Sequence, residues 1–158
     1  HILRLDEAGF YDRKREGLGF FLDADEILPR LPTPVVQLFD GVPGVTVGTT
    51  AAQAGAREVL IIGNCLPTLF VDGVLARRSQ PFFRNPNPMA YGPDGPGAAE
   101  TSPLYLSDLV TASQVAGIEV YRSPAELPLQ YGGTALGSVS DVTKGEWGFC
   151  GVVLVWTH

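Results

Sequence analysis

The chain has 158 residues, of which 45% are hydrophobic, and it carries a formal net charge of −6 with a pI near 4.8. This length suits one domain, and a domain of this size buries about 70% of the surface of its unfolded chain. The hydrophobic content excludes global disorder. The Lys and Arg residues are scattered, whereas a nucleic-acid-binding protein needs a concentrated basic face, so we expect no nucleic-acid partner.

Residues 1–19 are charged and interrupted by glycines, so we expect an extended or ragged helical lead-in before the main domain at 20–158. Within this lead-in, residues 12–16 combine basic and acidic side chains. Such a cluster is typical of a solvated surface.

A short strand is predicted at Phe20–Leu22, followed by a helix that Asp23 or Asp25 caps. Apolar residues continue at helical spacing beyond this cap, but three prolines interrupt them. We therefore expect two short helices with a kink near Thr33. A turn rich in glycine then leads into a strand at 45–47.

Two apolar runs, at 68–71 and 74–76, flank the dipeptide Asp72-Gly73. Asp-Gly between such runs predicts a hairpin, because both central residues of a type I′ turn need a positive φ. A further strand is expected at 58–62.

A Pro-, Gly- and Asn-rich loop is predicted over 79–103, and it is much longer than the usual loop of about 4 to 6 residues. Long loops that carry large apolar residues are candidate contact surfaces, so we predict that four of its side chains bind a partner. The alternative is that these side chains pin the loop to its own domain. They are Phe82, Phe83, Met89 and Tyr91.

A helix is expected from Leu106 to about Val115, capped by Ser107 or Asp108 and ended by Gly117, with a strand at 118–121.

A second long loop is predicted at 134–148, before a final strand at 152–157. We include its Trp147 among the partner-contact residues, with a place at the edge of the core as the alternative. Helices and strands alternate too irregularly for a doubly wound nucleotide-binding fold. The predicted fold is a compact α/β (α+β) domain with a small mixed β-sheet and short helices.

Cys65 and Cys150 are the two cysteines of the chain. They are either two inert buried thiols or one disulfide formed in an oxidising compartment. We predict the disulfide, because closing a loop of that length would restrict the unfolded chain by about 4 to 5 kcal/mol on the entropy model.

The sequence offers no arrangement typical of catalysis. The histidines are His1 and His158, so neither a serine nor a cysteine has an interior histidine as its base, and metal binding is not expected. The glycines lack the Lys and Ser/Thr of a phosphate-binding loop. We predict no enzyme and no cofactor, although a small hydrolase stays an alternative. Because no apolar run approaches the roughly 18 residues of a membrane-spanning helix, we expect no spanning helix, and any membrane association would be indirect.

Five motifs in this chain resemble, in order, those of the plug domain of TonB-dependent outer-membrane receptors. They are Ala24-Asp25-Glu26-Ile27, Leu38-Phe39-Asp40-Gly41-Val42-Pro43-Gly44-Val45, Phe70-Val71-Asp72-Gly73-Val74, Ile118-Glu119-Val120-Tyr121-Arg122-Ser123-Pro124 and Tyr131-Gly132-Gly133. Each motif alone is weak, but five in order carry more weight. Residues 9–15 and 150–157 also look like a subgroup of short envelope proteins that carry a plug-like domain without a barrel.

The resemblance implies a plug-like fold without catalytic machinery. No barrel strands follow in these 158 residues and no TonB box is evident in 1–21, so we expect a free-standing periplasmic module in a Gram-negative-type envelope. It would bind other proteins, as an accessory or structural subunit docked on a larger membrane or envelope complex. The alternative is the plug of a TonB-dependent receptor, which senses a ligand and occludes a pore during transport.

Overall fold

A computed structural model of the chain describes residues 1–49, 57–81, 105–131 and 150–158. These residues form nine strands, four short α-helices and four 3₁₀ helices. The α-helices are α1 (Leu3–Glu7), α2 (Phe10–Glu16), α3 (Ala24–Ile27) and α4 (Leu106–Leu109), and the 3₁₀ helices are Leu28–Arg30, Val35–Phe39, Ala112–Gln114 and Leu129–Tyr131. The strands are β1 (Phe20–Leu22), β2 (Val45–Thr49), β3 (Glu58–Ile62), β4 (Cys65–Leu66), β5 (Thr68–Val71), β6 (Val74–Arg77), β7 (Gln80–Pro81), β8 (Val115–Tyr121) and β9 (Val152–Thr157).

The strands form two sheets. The five-stranded sheet has the order β1-β8-β9-β5-β6, in which β5 and β9 are parallel and the other pairs antiparallel. The four-stranded sheet has the order β2-β3-β4-β7 and is antiparallel throughout. The predicted α+β class and mixed sheet are therefore confirmed, whereas the second sheet was not predicted.

The two faces of the five-stranded sheet bury different sets of side chains, because neighbouring residues of a strand point to opposite faces. On one side, which we call the apolar face, strands β8 and β9 contribute Ile118, Val120, Val153 and Val155. These side chains pack against the 3₁₀ helix Val35–Phe39 and against β3 of the other sheet. On the opposite side, which we call the carboxylate face, they contribute a second set: Ala116, Glu119, Tyr121, Val152, Leu154 and Trp156.

Helices α1 and α2 cover the carboxylate face. Leu5 and Phe10 are fully buried there, and they pack in one cluster with the buried Phe21 and Phe70. Residues 3–16 thus contribute to the same core as the central strands. The expectation that 12–16 is a solvated surface is wrong at Arg13, whose exposed fraction is 9%.

Gly117 lies inside β8 and does not end a helix, contrary to the prediction. A Cβ atom at this position would lie 3.0 Å from Cε2 of Phe10 and 3.3 Å from both Cδ atoms of Leu5. The missing side chain makes room for the two residues that anchor α1 and α2. Close approach of a neighbouring element is therefore the reason for a glycine here.

The helix predicted from Leu106 to about Val115 is also shorter than expected. Helix α4 ends at Leu109, a 3₁₀ turn follows at Ala112–Gln114, and Val115 already pairs with Thr157 of β9. Strand pairing in the sheet center thus overrides the local helical pattern. Neither predicted cap is used, because Ser107 and Asp108 lie within α4.

Two local predictions are confirmed. Asp23 caps α3, since its side chain accepts a hydrogen bond from the backbone N–H of Glu26 while the Glu26 carboxylate accepts one from the backbone N–H of Asp23. The β5–β6 hairpin turns at Asp72 and Gly73, whose φ angles of 51° and 82° are both positive.

Candidate functional site

The structure joins the two cysteines in a disulfide, as predicted. Cys65 is the first residue of β4, and Cys150 lies two residues before β9, with their Cα atoms 5.5 Å apart. The bond therefore connects the four-stranded sheet to the central strand of the five-stranded sheet.

The five residues predicted to contact a partner lie outside the described residues. They are Phe82, Phe83, Met89, Tyr91 and Trp147. Their role remains a prediction from sequence.

The main polar cluster of the described interior is centred on Glu119, whose exposed fraction is 0%. Arg13 donates from Nε to Oε1 at 2.7 Å and from Nη2 to Oε2 at 2.8 Å, which is the parallel two-bond geometry of arginine with a carboxylate. The hydroxyl of Tyr121 donates to Oε1 at 2.6 Å, and Nε1 of Trp156 donates to Oε2 at 2.5 Å. Each carboxylate oxygen thus accepts two hydrogen bonds.

Local structure explains why these side chains meet. Glu119 and Tyr121 are two residues apart on β8 and so point to the same face, while Leu154, opposite Glu119 on β9, places Trp156 two residues further on that face. Arg13 reaches the cluster from α2, and its Nη1 donates to the carbonyl oxygen of Ala8 at 2.8 Å. The cluster therefore fixes α2 to two strands of the sheet.

Electrostatics favour the paired state of this cluster. Burial by itself lowers the pKa of Arg13, but the hydrogen bonds and negative charge of Glu119 outweigh burial and raise the pKa above its ordinary value. Burial and the Glu119 charge both raise the pKa of Tyr121, so its hydroxyl keeps the proton that it donates. The arrangement is a closed set of donors around one anion.

A second tie, at the surface, holds α1 to the end of the sheet. Asp72 accepts hydrogen bonds from the backbone N–H and the hydroxyl of Thr157 at 2.8 and 2.7 Å, and Arg4 lies 3.5 Å from its carboxylate. The Arg4 side chain is 51% exposed, so solvent weakens this ion pair.

An open cavity of about 620 Å³ lies between the start of the chain, α2 and α3. Lys14 lines it and pairs with Asp23 at 2.6 Å and with Glu26 at 3.0 Å. Burial by itself lowers the pKa of Lys14 and raises that of Asp23, but their mutual hydrogen bond reverses both effects, so the Lys14 pKa is raised and the Asp23 pKa is lowered. Lys14 thus offsets one of the two negative charges of the Asp23–Glu26 capping box that begins α3.

Across the ranges that the structure describes, no group of three or more His, Cys, Asp or Glu side chains is placed to hold a metal ion. None of the helices in those ranges has the length and apolar character needed to cross a membrane.

Sequence reasoning missed the Glu119 cluster. Glu119 was assigned to a strand, and an isolated carboxylate in an otherwise apolar strand of a buried sheet is itself a signal that a cationic partner is needed. The identity of that partner carried no comparable signal, since Arg13 lies among other charged residues at 12–16.

No protein-family model matches the chain, and neither a curated protein nor a solved structure shows significant similarity to it.

Proposed function

We propose that this domain is a non-catalytic binding or assembly module, an accessory or structural subunit docked on a larger membrane or envelope complex. The observation that carries the proposal is the sealed environment of Glu119. Arg13 and Tyr121, whose pKa values are raised, both point at this fully buried carboxylate and not into the open cavity. A substrate would have to displace α2 to reach it. Glu119 therefore has a role in the fold, and we assign partner binding to the surface of the domain.

The disulfide supports a periplasmic location for this module, because structural disulfides form and persist in oxidising compartments. Membrane association would then come through the partner complex.

Two of the motifs that resemble receptor plugs lie in the five-stranded sheet. The segment at 70–74 makes the turn of the β5–β6 hairpin, and the segment at 118–121 lies in β8, with β9 between them. The proposal of a plug-like module is carried by the resemblance of the five sequence motifs, and its function is inferred by analogy with receptor plugs.

The contact would be made by the two long loops predicted from sequence. The test is to extract the tagged chain gently from its native membranes and to measure the mass and composition of the particle that contains it. A double substitution, Phe82→Ser with Phe83→Ser, should reduce recovery of the partner subunits. Leu28→Ser is the matched control, since Leu28 is 67% exposed in the described part of the chain and was not predicted to bind a partner.

Recovery of the chain with a large integral assembly, lost in the Phe82/Phe83 variant and kept in the Leu28 variant, supports the proposal. Recovery as a free monomer contradicts it. Attachment to a receptor domain on the same polypeptide would favour the alternative, a plug that senses ligand and occludes a pore.

A further inference from the structure

The disulfide connects two parts of the molecule whose packing differs in extent. Strand β4 has two residues, and it pairs with β3 through the single Cα pair Ile62 and Cys65. On its other side it pairs with the two residues of β7. We call β4 and β7 together the short ribbon. Cys150, by contrast, leads directly into β9 at the center of the five-stranded sheet.

The short ribbon rests on a small apolar cluster. Leu66 is fully buried, but its described cluster includes only Val59 and Ile61, with the partly buried Tyr105 packed against them. Strands β8 and β9 contribute to two much larger clusters on the two faces of their sheet. Because local opening costs least where few apolar contacts are lost, the short ribbon is, judged by its contacts with the described residues, the better candidate for opening by itself.

Other contacts hold Pro67 and Thr68, the two residues that follow β4, against the five-stranded sheet. The backbone N–H of Thr68 donates to the carbonyl oxygen of Gly151 at 3.0 Å, and Nη2 of Arg77 donates to the carbonyl oxygen of Pro67 at 3.0 Å. Gly151 has a φ of +84°, and a Cβ atom there would lie 2.6 Å from Cδ1 of Ile62. These contacts keep β5 and β3 in place next to β9, so the disulfide acts mainly on the ribbon beyond them.

We infer that the Cys65–Cys150 bond is a redox latch: its reduction by a dithiol allows the short ribbon to open while the five-stranded sheet stays folded. Cys65 is partly exposed and Cys150 is 5% exposed, so the attacking thiolate enters at Sγ of Cys65. A mixed disulfide forms there as the Cys65–Cys150 bond breaks, and Cys150 leaves as a thiolate that takes up a proton. The second thiol of the reductant then displaces Cys65, leaving two cysteine thiols and an oxidised reductant.

Amide hydrogen exchange on the purified chain tests this inference without any partner. We compare the oxidised protein, the protein reduced with dithiothreitol in native buffer, the same sample after reoxidation, and the double variant Cys65→Ser with Cys150→Ser. Intact mass should rise by about 2 Da on reduction, since two hydrogens are added. Protection of the Leu66 and Gln80 amides, which lie in paired residues of the ribbon, should fall by about tenfold or more, while that of Val120 in β8 stays unchanged. The double variant should show the open pattern with or without dithiothreitol, which controls for effects of the reagent.

Three results would overturn the latch. If dithiothreitol reduces the bond only in denaturant, the bond is not accessible in the folded protein. If amide protection is the same in all samples, the bond does not control opening of the ribbon. The two sheets open as one unit if protection at Val120 falls together with protection at Leu66. Reversal on reoxidation, with the loss confined to the ribbon, is the result expected.

Discussion

Both faces of the five-stranded sheet are buried, but one is packed by apolar side chains and the other contains a buried ion pair. On the apolar face, Ile118 and Val120 belong to a cluster of buried apolar side chains, and many hydrophobic sequences would fill that space. On the carboxylate face, Glu119 requires donors in fixed directions from α2, β8 and β9. The difference teaches that one face contributes mostly to stability, whereas the other also specifies where residues 1–16 must dock. A buried ion pair is weak evidence for net stability, but removing one partner from it is costly.

The largest effect is expected when the Glu119 carboxylate is removed, which tests the difference between the two faces directly. Glu119→Ala should lower the free energy of unfolding by about 3 to 5 kcal/mol, because Arg13 would stay buried without its anion. Ile118→Val, on the neighbouring residue of the apolar face, should cost only about 0.5 to 1.5 kcal/mol. Urea unfolding of both variants measures the two values. A loss for Glu119→Ala no greater than that for Ile118→Val would show that the two faces do not differ.

A second test removes the Tyr121 hydroxyl, a neutral donor to Glu119, and makes use of the dependence of stability on pH. Tyr121→Phe should cost about 1.5 to 3 kcal/mol, since the lost hydrogen bond has a charged acceptor. The pKa of Tyr121 is raised above 10.0 by burial and by the Glu119 charge, so above pH 10 the folded state holds a proton that the unfolded state releases. The stability from this group is thus complete below pH 10 and is lost as the pH rises towards the folded pKa.

Urea unfolding between pH 9 and about pH 11 tests this slope. Stability of the unsubstituted chain should fall more steeply with pH than that of Tyr121→Phe. Because the raised pKa of Lys14 adds an alkaline slope to both proteins, the difference between them is the informative quantity. Parallel curves would mean that the hydroxyl gains no proton affinity from the cluster.

A third substitution fills the space at Gly117 into which Leu5 and Phe10 pack. Gly117→Ala should cost about 1 to 3 kcal/mol, because the new Cβ atom would crowd Phe10 and Leu5. The cost should shrink when Phe10→Leu is also present, and a double-mutant cycle by thermal or urea unfolding measures that coupling. Additive effects would show that the crowding is relieved elsewhere.

The smallest effect is expected at the surface tie. Arg4→Ala should change the free energy of unfolding by at most about 1 kcal/mol, and less in high salt, because the ion pair with Asp72 is half exposed. Unfolding curves at low and high ionic strength check both points. A loss as large as that of Glu119→Ala would place the anchoring of α1 at its surface end and not at the buried cluster.

The sequence predicted correctly those features that depend on interactions between residues close together in the chain. The cap at Asp23 and the turn at Asp72-Gly73 depend on residues within three positions, and both were predicted correctly. Gly117 was misread because its reason lies in Leu5 and Phe10, more than a hundred positions earlier in the chain. In the second sheet, β2 and β3 were predicted as strands, but β4 and β7 were missed because they have two residues each, too few to show a period of alternation.

Some parts of the candidate site were predictable from the sequence and others were not. Pairing of Cys65 with Cys150 was the one choice open to two cysteines if a disulfide formed. The charged partner of Glu119 was one arginine among eleven Lys and Arg residues, and only the docking of α2 selects it. Alternation along β8 does place Tyr121 beside Glu119, so half of that cluster was accessible from the strand alone.

The position of β9 has a consequence for how the chain folds during synthesis. Strand β9 follows the other eight described strands in sequence, yet it lies between β8 and β5 and pairs with both. A ribosome-bound chain that has exposed residues 1–131 therefore holds the β5–β6 hairpin and the β1–β8 pair without the strand that joins them. Their inner edges would remain open to pairing with other chains until residues 152–157 emerge. We expect the sheet to assemble only after residues 152–157 have left the ribosome, so the open edges carry a risk of aggregation until then.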